Sequence, residues 1–217
     1  MVIENLKVYG IENAIRGSKF PMSVDIDNLN SDITNTVKSL ASSGKGEGHD
    51  QFLTGIVAQF DLTLTIKAWT EAERYHWLDF ISSQSTMHRI TKFDLDKAYI
   101  EYTNPRIIAI MKDMVNEYNY LFDNKDNIEI LKSIGYNCEA INEVLKEKYL
   151  KILYSNPCGF KLTAAMTTNY RQLKTIVSQR ITHRLPEWRE FCKQVEEFPY
   201  FKELIYKENK VKETTNE

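Results

Sequence analysis

The sequence predicts a single α+β domain in which strands and helices interleave along the chain. Three observations predict it. Ala58, Phe60, Leu62, Leu64 and Ile66 alternate with Gln59, Asp61, Thr63, Thr65 and Lys67, a period of two that turns one face of a strand towards a core. Phe160, Leu162, Ala164 and Met166 repeat that period later in the chain. Between and after them, Ile107, Ile108, Met111, Met114 and Val115, then Ile141, Val144, Leu145, Tyr149 and Ile152, then Leu173, Ile176 and Val177, recur at helical spacing. No internal repeat or linker interrupts the series. Residues 1–206 therefore read as one domain, and the charged run 207–217 as a tail.

Taken in order, Leu6, Val8 and Ile11 sit among polar neighbours as in an edge or first strand, and Gly17 to Pro21 breaks that run. Ile33, Val37 and Leu40 then follow helical spacing, in a segment ending in SSGKGEG, where three of the eight glycines crowd into five residues. This is a loop and not a phosphate-binding P-loop: Gly44-Lys45 is followed by glycine instead of a hydroxyl residue, and no apolar strand precedes it. After the strand at 58–66 comes a polar, hydroxyl-rich segment from Arg74 to Arg89. A helix runs from about Pro105 to Leu121 and another follows over 141–152, closed by Pro157 and Gly159. The second strand leads into a helix over 168–181, and Pro186 starts a last helix carrying Trp188, Phe191 and Val195.

Composition excludes several classes. With 217 residues, 42% of them hydrophobic, the chain can bury a real core. Lys and Arg number 28 against 30 Asp and Glu, so no bulk positive field favours nucleic acid or an anionic membrane. No apolar stretch approaches the ~20 residues of a membrane span, and the first residues lack the order of a signal peptide, so a cytoplasmic protein is expected. Cys138, Cys158 and Cys192 are far apart and read as reduced thiols. His49, His76, His88 and His183 form no HExxH or other tight ligand spacing, so no metal site is expected. Glu71 and Glu73 read as a helix start or as partners of Arg74, not as acid and base.

Two constellations carry chemistry. Residues 161–190 hold six Lys or Arg against Glu187 and Glu190, a local excess of +4 in a chain of net charge −2. On a helix Arg180, His183 and Arg184 would share one patch, and Asn169, eleven positions before Arg180, would project from nearly the same face about 16 Å away. That span suits an extended ligand; the plainer alternative is a solvated basic face balanced by Glu187 and Glu190. The second constellation is Arg74-Tyr75-His76, Ser82 to Ser85 with Gln84 among them, and His88-Arg89, donors suited to a nucleotide phosphate and base edge. A Ser-rich turn is its alternative.

These residues also carry a resemblance. Gly48-His49, the strand QFDLTLTIKAW, the loop RYHWLDFISSQS and NYRQLKTIVSQR, with a weaker echo in KVYGIENAIRGSKFP, resemble the flavin-dependent thymidylate synthases, especially divergent phage-type members. Arg74 matches the first Arg of the family's Arg-His-Arg loop, and Asn169, Arg171 and Arg180 match its Asn-x-Arg followed nine residues later by Arg. Ser85 matches the family's substrate-binding Ser if one residue is inserted. Tyr75 and His76 replace the loop's His and second Arg, and Ile81-Ser82 replaces an Asn-Glu pair.

The resemblance implies a twisted β-sheet flanked by helices and reductive methylation of dUMP to dTMP with FAD, NADPH and methylenetetrahydrofolate. It needs no protein nucleophile. His49 and Arg180 would be catalytic, Arg180 holding the pyrimidine; Arg74, Ser83, Gln84 and Ser85 would take the rest of the substrate, and His76, Asn169, Arg171 and His183 the flavin. A homotetramer is implied, with no membrane or nucleic-acid partner. A catalytically degenerate member that binds a nucleotide or signalling ligand is the second reading, and an interaction protein using the basic helix is the third.

Overall fold

The computed structural model describes residues 2–44 and 46–206. Lys45 of the glycine loop and the tail expected over 207–217 lie outside the described residues. In chain order the elements are β1 (Ile3–Tyr9), α1 (Ile11–Ser18), α2 (Asn35–Ala41), β2 (Val57–Thr65), α3 (Ile66–Ala72), β3 (Asp79–Ser83), α4 (Thr86–Arg89), α5 (Pro105–Asp123), α6 (Ile128–Ser133), α7 (Ile141–Ser155), β4 (Lys161–Asn169), α8 (Tyr170–Arg180), α9 (Pro186–Glu196) and α10 (Phe201–Ile205). The strands form a four-stranded antiparallel sheet of order β1-β2-β4-β3. This is the mixed α+β class expected from the two periodicities.

The first strand is an edge strand, as its half-polar pattern predicts, but it begins at Ile3 and gives way to helix at Ile11. Gly10 makes the turn possible: its φ is +77°, and a Cβ there would stand 2.4 Å from the Gly55 carbonyl oxygen. The pairing Glu4↔Asp61 and Lys7↔Gln59 leaves one extra residue on β1, a bulge that contains Asn5 at φ 53°. Asn5 donates to the Asp61 carboxylate at 2.6 Å. In β2, Ala58, Phe60, Leu62 and Leu64 are buried while Gln59, Asp61 and Thr63 are half-buried, the alternation read from the sequence. Ile66, assigned to that strand by its apolar side chain, instead opens α3, where Lys67 pairs with Glu71 at 3.3 Å. Glu71 thus lies near the end of α3, engaged with Lys67. The polar segment from Arg74 to Arg89 contains β3 and α4; every residue of β3 is exposed, so its strand character leaves no apolar alternation to read.

The chain divides into two compact units, with boundaries inside β2, α3, β3 and β4. The first comprises the described residues of Met1–Leu62, Ala72–Ser82 and Ala164–Glu217. Its core is aromatic: Phe60 meets Phe191 and Phe198 at 6.4 and 5.8 Å, Trp188 meets Phe191 at 5.6 Å, and Tyr170 meets Phe201 at 5.3 Å between ring centres. Helix α8 is started by its strand: Asn169, the last residue of β4, accepts from the Gln172 amide at 2.9 Å and so caps the helix. The second unit comprises Thr63–Glu71 and Ser83–Thr163. There α5 and α7 pack together, with Met111, Val115, Ile152 and Phe160 in one cluster and Leu121, Leu131, Ile141 and Leu145 in another. Cys138, Cys158 and Cys192 are free thiols. Among the described residues no helix is long and apolar enough to cross a membrane.

Candidate functional site

The first unit contains a pocket of about 770 Å³, within the range of small-molecule and cofactor sites. Its walls come from three stretches: the 43–54 loop and turn, Trp77, and the start and exposed face of α8. Gly48, in the left-handed region at φ +77°, turns the chain into a 3₁₀ helix at His49–Gly55. That turn places Asp50 where it is only 6% exposed.

Asp50 organises the charges. Its Oδ1 accepts from Arg171 Nε at 3.0 Å and its Oδ2 from Lys174 Nζ at 2.8 Å. Arg171 Nη1 also donates to the Gln51 side chain at 2.7 Å. Two of the five guanidinium N–H groups are thereby used, leaving three directed at no described residue. Lys174 also donates to the carbonyls of Ala41 and Ser43, at 2.8 and 2.7 Å, so all three ammonium protons are spent. Asp50, Arg171 and Lys174 are the only charged residues among the described lining, giving a net +1 beside neutral Asn169, Gln172, Thr175, Ser178, Gln179 and Trp77. Such a wall favours an anion.

Of the residues singled out from the sequence, Asn169 and Arg171 line this pocket. His49 is exposed at the start of the turn and is outside the lining. Arg74 and His76 are exposed, whereas Tyr75 between them is buried. Ser83, Gln84 and Ser85 belong to the second unit, where Gln84 is fixed to β4: its amide donates to the Thr163 carbonyl at 3.0 Å, and its Oε1 accepts from the Thr163 amide at 2.9 Å.

Asn169, the cap of α8 in a strand conformation, lines the pocket, whereas Arg180, the last helical residue, is buried and outside the lining. Arg180, His183 and Arg184 do not form a solvated patch. Arg180 is 5% exposed, Glu187 is also buried, and the helix stops before His183. Arg180 Nε donates to Tyr75 Oη at 2.8 Å, and its guanidinium lies 4.8 Å from the Trp188 ring centre and 5.6 Å from that of Tyr75. Its Nη1 is 2.7 Å from His183 Nε2, and the Leu185 amide donates to Nδ1 of the same ring at 3.2 Å. Tyr75 Oη in turn donates to Gln179 Oε1 at 3.0 Å, and Gln179 lines the pocket.

Sequence reasoning did not single out Asp50, Lys174, Ser43 or Trp77. Two signals were available: Asp50 adjoins His49, and Lys174 lies one turn after Arg171. Trp77 is 64% exposed, an unusual position for so large a ring.

No protein family model matches the chain, and no curated protein matches it. Among solved structures, the flavin-dependent thymidylate synthase ThyX of Helicobacter pylori, complexed with FAD and dUMP, is similar with a TM-score of 0.64 and 14% identity, over 95% of this chain and 100% of that one. A second structure of the Helicobacter pylori enzyme with FAD and dUMP has a TM-score of 0.61 and 13% identity, over 95% and 96% of the two chains. At these identities the likeness establishes the fold.

Proposed function

We propose that the chain is a flavin-dependent thymidylate synthase-like protein that binds FAD in the pocket of the first unit and methylates a dUMP-type nucleotide reductively, with methylenetetrahydrofolate and NADPH as co-substrates. The observation that carries this reading is the junction of β4 and α8, where Asn169 and Arg171 reach the wall of a large, net-positive pocket beside the Gly48-His49 turn. Two similar folds are described with FAD and dUMP.

The residues present fit a flavin. Trp77 offers a ring face for stacking, the remaining donors of Arg171 suit phosphate or carbonyl oxygens, and Asn169, Ser178 and Gln179 offer neutral polar groups. Bound FAD, once reduced by NADPH, would supply the reducing equivalents for the methylation. The chain's part is to bind and orient: Asp50 fixes the Arg171 plane, and Arg180, through Tyr75 and Gln179, sets one wall of the pocket. A homotetramer belongs to this proposal.

The test adds FAD to the purified protein and reads flavin absorbance near ~450 nm in the protein fraction, then adds dUMP, methylenetetrahydrofolate and NADPH and looks for dTMP. Retained flavin with dTMP formation supports the reading; dTMP absent with flavin and nucleotide bound replaces it with binding without turnover. That second reading is favoured by one observation, the burial of Arg180 against Tyr75, Trp188 and His183, outside the pocket lining.

A further inference from the structure

The second unit has a cleft that the proposed reaction does not use. It measures about 320 Å³, the lower end of the range for small-molecule sites, and opens between α5 and α7 with Met87 of α4 in its lining. Apolar side chains are left open to solvent around it: Met87 is 59% exposed, Phe122 42% and Leu150 41%. Tyr118 stacks on Phe122 with 5.9 Å between ring centres and meets Tyr149 at 5.3 Å, so three rings form one aromatic wall. Tyr149 Oη donates to the Met87 carbonyl at 3.0 Å, which ties α4 to α7 and preforms the cleft. The charged residues of the described lining are Lys125 and Lys146, both cations. Lys125 Nζ stands 5.1 Å from the Phe122 ring centre, at that wall, and has no hydrogen-bond or ion-pair partner among the described residues. Lys146 shares only an exposed pair with Glu143 at 4.0 Å.

We propose that this cleft binds a small aromatic carboxylate, with its rings against Tyr118, Phe122 and Tyr149 and its carboxylate at Lys125. The aromatic wall accepts a flat apolar body, and two cations with no carboxylate among the described lining call for an anion. The volume suits a compact ring system over a long chain. A neutral ligand gains nothing from the two ammonium groups. A second copy of the chain seated by the same face would bring its own lysines towards these, with no carboxylate of the described lining to pair them. The assignment stands on the second unit alone and is independent of the flavin reading of the first.

The experiment titrates the full chain by calorimetry with two probes, naphthoate and its neutral counterpart naphthylmethanol, using the wild type, Lys125→Met and Leu150→Glu. The wild type binds naphthoate roughly tenfold more tightly than naphthylmethanol, the worth of one hydrogen bond to a charged group. Lys125→Met removes the charge and keeps an apolar stem, so it weakens naphthoate roughly tenfold and leaves naphthylmethanol unchanged. Leu150→Glu changes an exposed helical position and so leaves thermal melting unaltered, but it puts a carboxylate in the wall and weakens both probes, naphthoate more. Added salt weakens naphthoate and does not weaken naphthylmethanol. A wild type that does not bind naphthoate, equal affinity for the two probes, or unchanged naphthoate affinity in either variant overturns the assignment. So does a wild-type oligomer that Leu150→Glu dissociates in sedimentation, because a second copy then covers this face.

Discussion

Arg180 is held by Tyr75, 105 positions away, and by Trp188 of the following helix, and these neighbours set what a substitution there does. Tyr75 Oη accepts its Nε–H at 2.8 Å, and the guanidinium stacks over Trp188. Tyr75→Phe keeps the ring and removes the oxygen, leaving a charged donor unmet in a buried place. We expect that variant to lose about 1.5–3 kcal/mol of stability in urea denaturation, with a change in Trp188 emission on the folded protein. Arg180→Lys is expected to be comparably costly, since an ammonium cannot stack and donate in the same plane. The sequence displayed Arg180 at its interval from Asn169 but not its burial: a run of cations reads as a solvated face, and the Tyr75 and Trp188 rings that enclose it come from separate segments. The pairing of Asp50 with Lys174 was illegible for the same reason, as it spans 124 positions.

At the scale of elements, the sequence was informative wherever one face is buried and silent elsewhere. Strand β2 and helices α5, α7 and α8 were read with ends within a few residues, because their apolar side chains mark a two-residue or a helical period. Strand β3 was not, since all of its residues are exposed, and α3 was masked because Ile66 continues the apolar alternation of β2 into the first residue of a helix. The β4–α8 junction joins element and site, because Asn169 both caps the helix and lines the pocket. Asn169→Ala is expected to cost about 1 kcal/mol of stability by loss of the cap. Asn169→Asp keeps the cap and gains from the positive helix N-terminus, so its thermal melting should be unchanged or raised. The same substitution puts a negative charge in the pocket wall, and FAD binding should fall. Equal losses of stability in both variants would rule out the capping role.

At the scale of the whole molecule, both units bury groups that ionise only at high pH, and this sets the alkaline limit of the fold. In the second unit burial pushes the Tyr99 hydroxyl up to about 12. In the first it raises the Tyr170 hydroxyl, which donates to the Pro199 carbonyl at 2.8 Å, and burial, reinforced by Glu196, pushes the Cys192 thiol up to about 11. Each folded value lies above the unfolded one, about 8.5 for a thiol and 10 for a phenol. The stability these groups contribute is therefore complete below the unfolded values and is lost as pH rises towards the folded ones, because the unfolded chain releases its protons first. The loss begins with Cys192, between about 8.5 and 11, and steepens above about 10 as Tyr99 and Tyr170 join, each adding about 1.4 kcal/mol per pH unit within its window. Denaturant unfolding measured from pH 7 to 11 should be flat at first and then fall with increasing slope. Cys192→Ala should remove the earliest part of the fall, and Tyr170→Phe should flatten the later part while lowering stability at pH 7 by about 1 kcal/mol for the lost hydrogen bond. A Cys192→Ala profile parallel to the wild type between pH 9 and 10 would exclude the thiol as the first group to act.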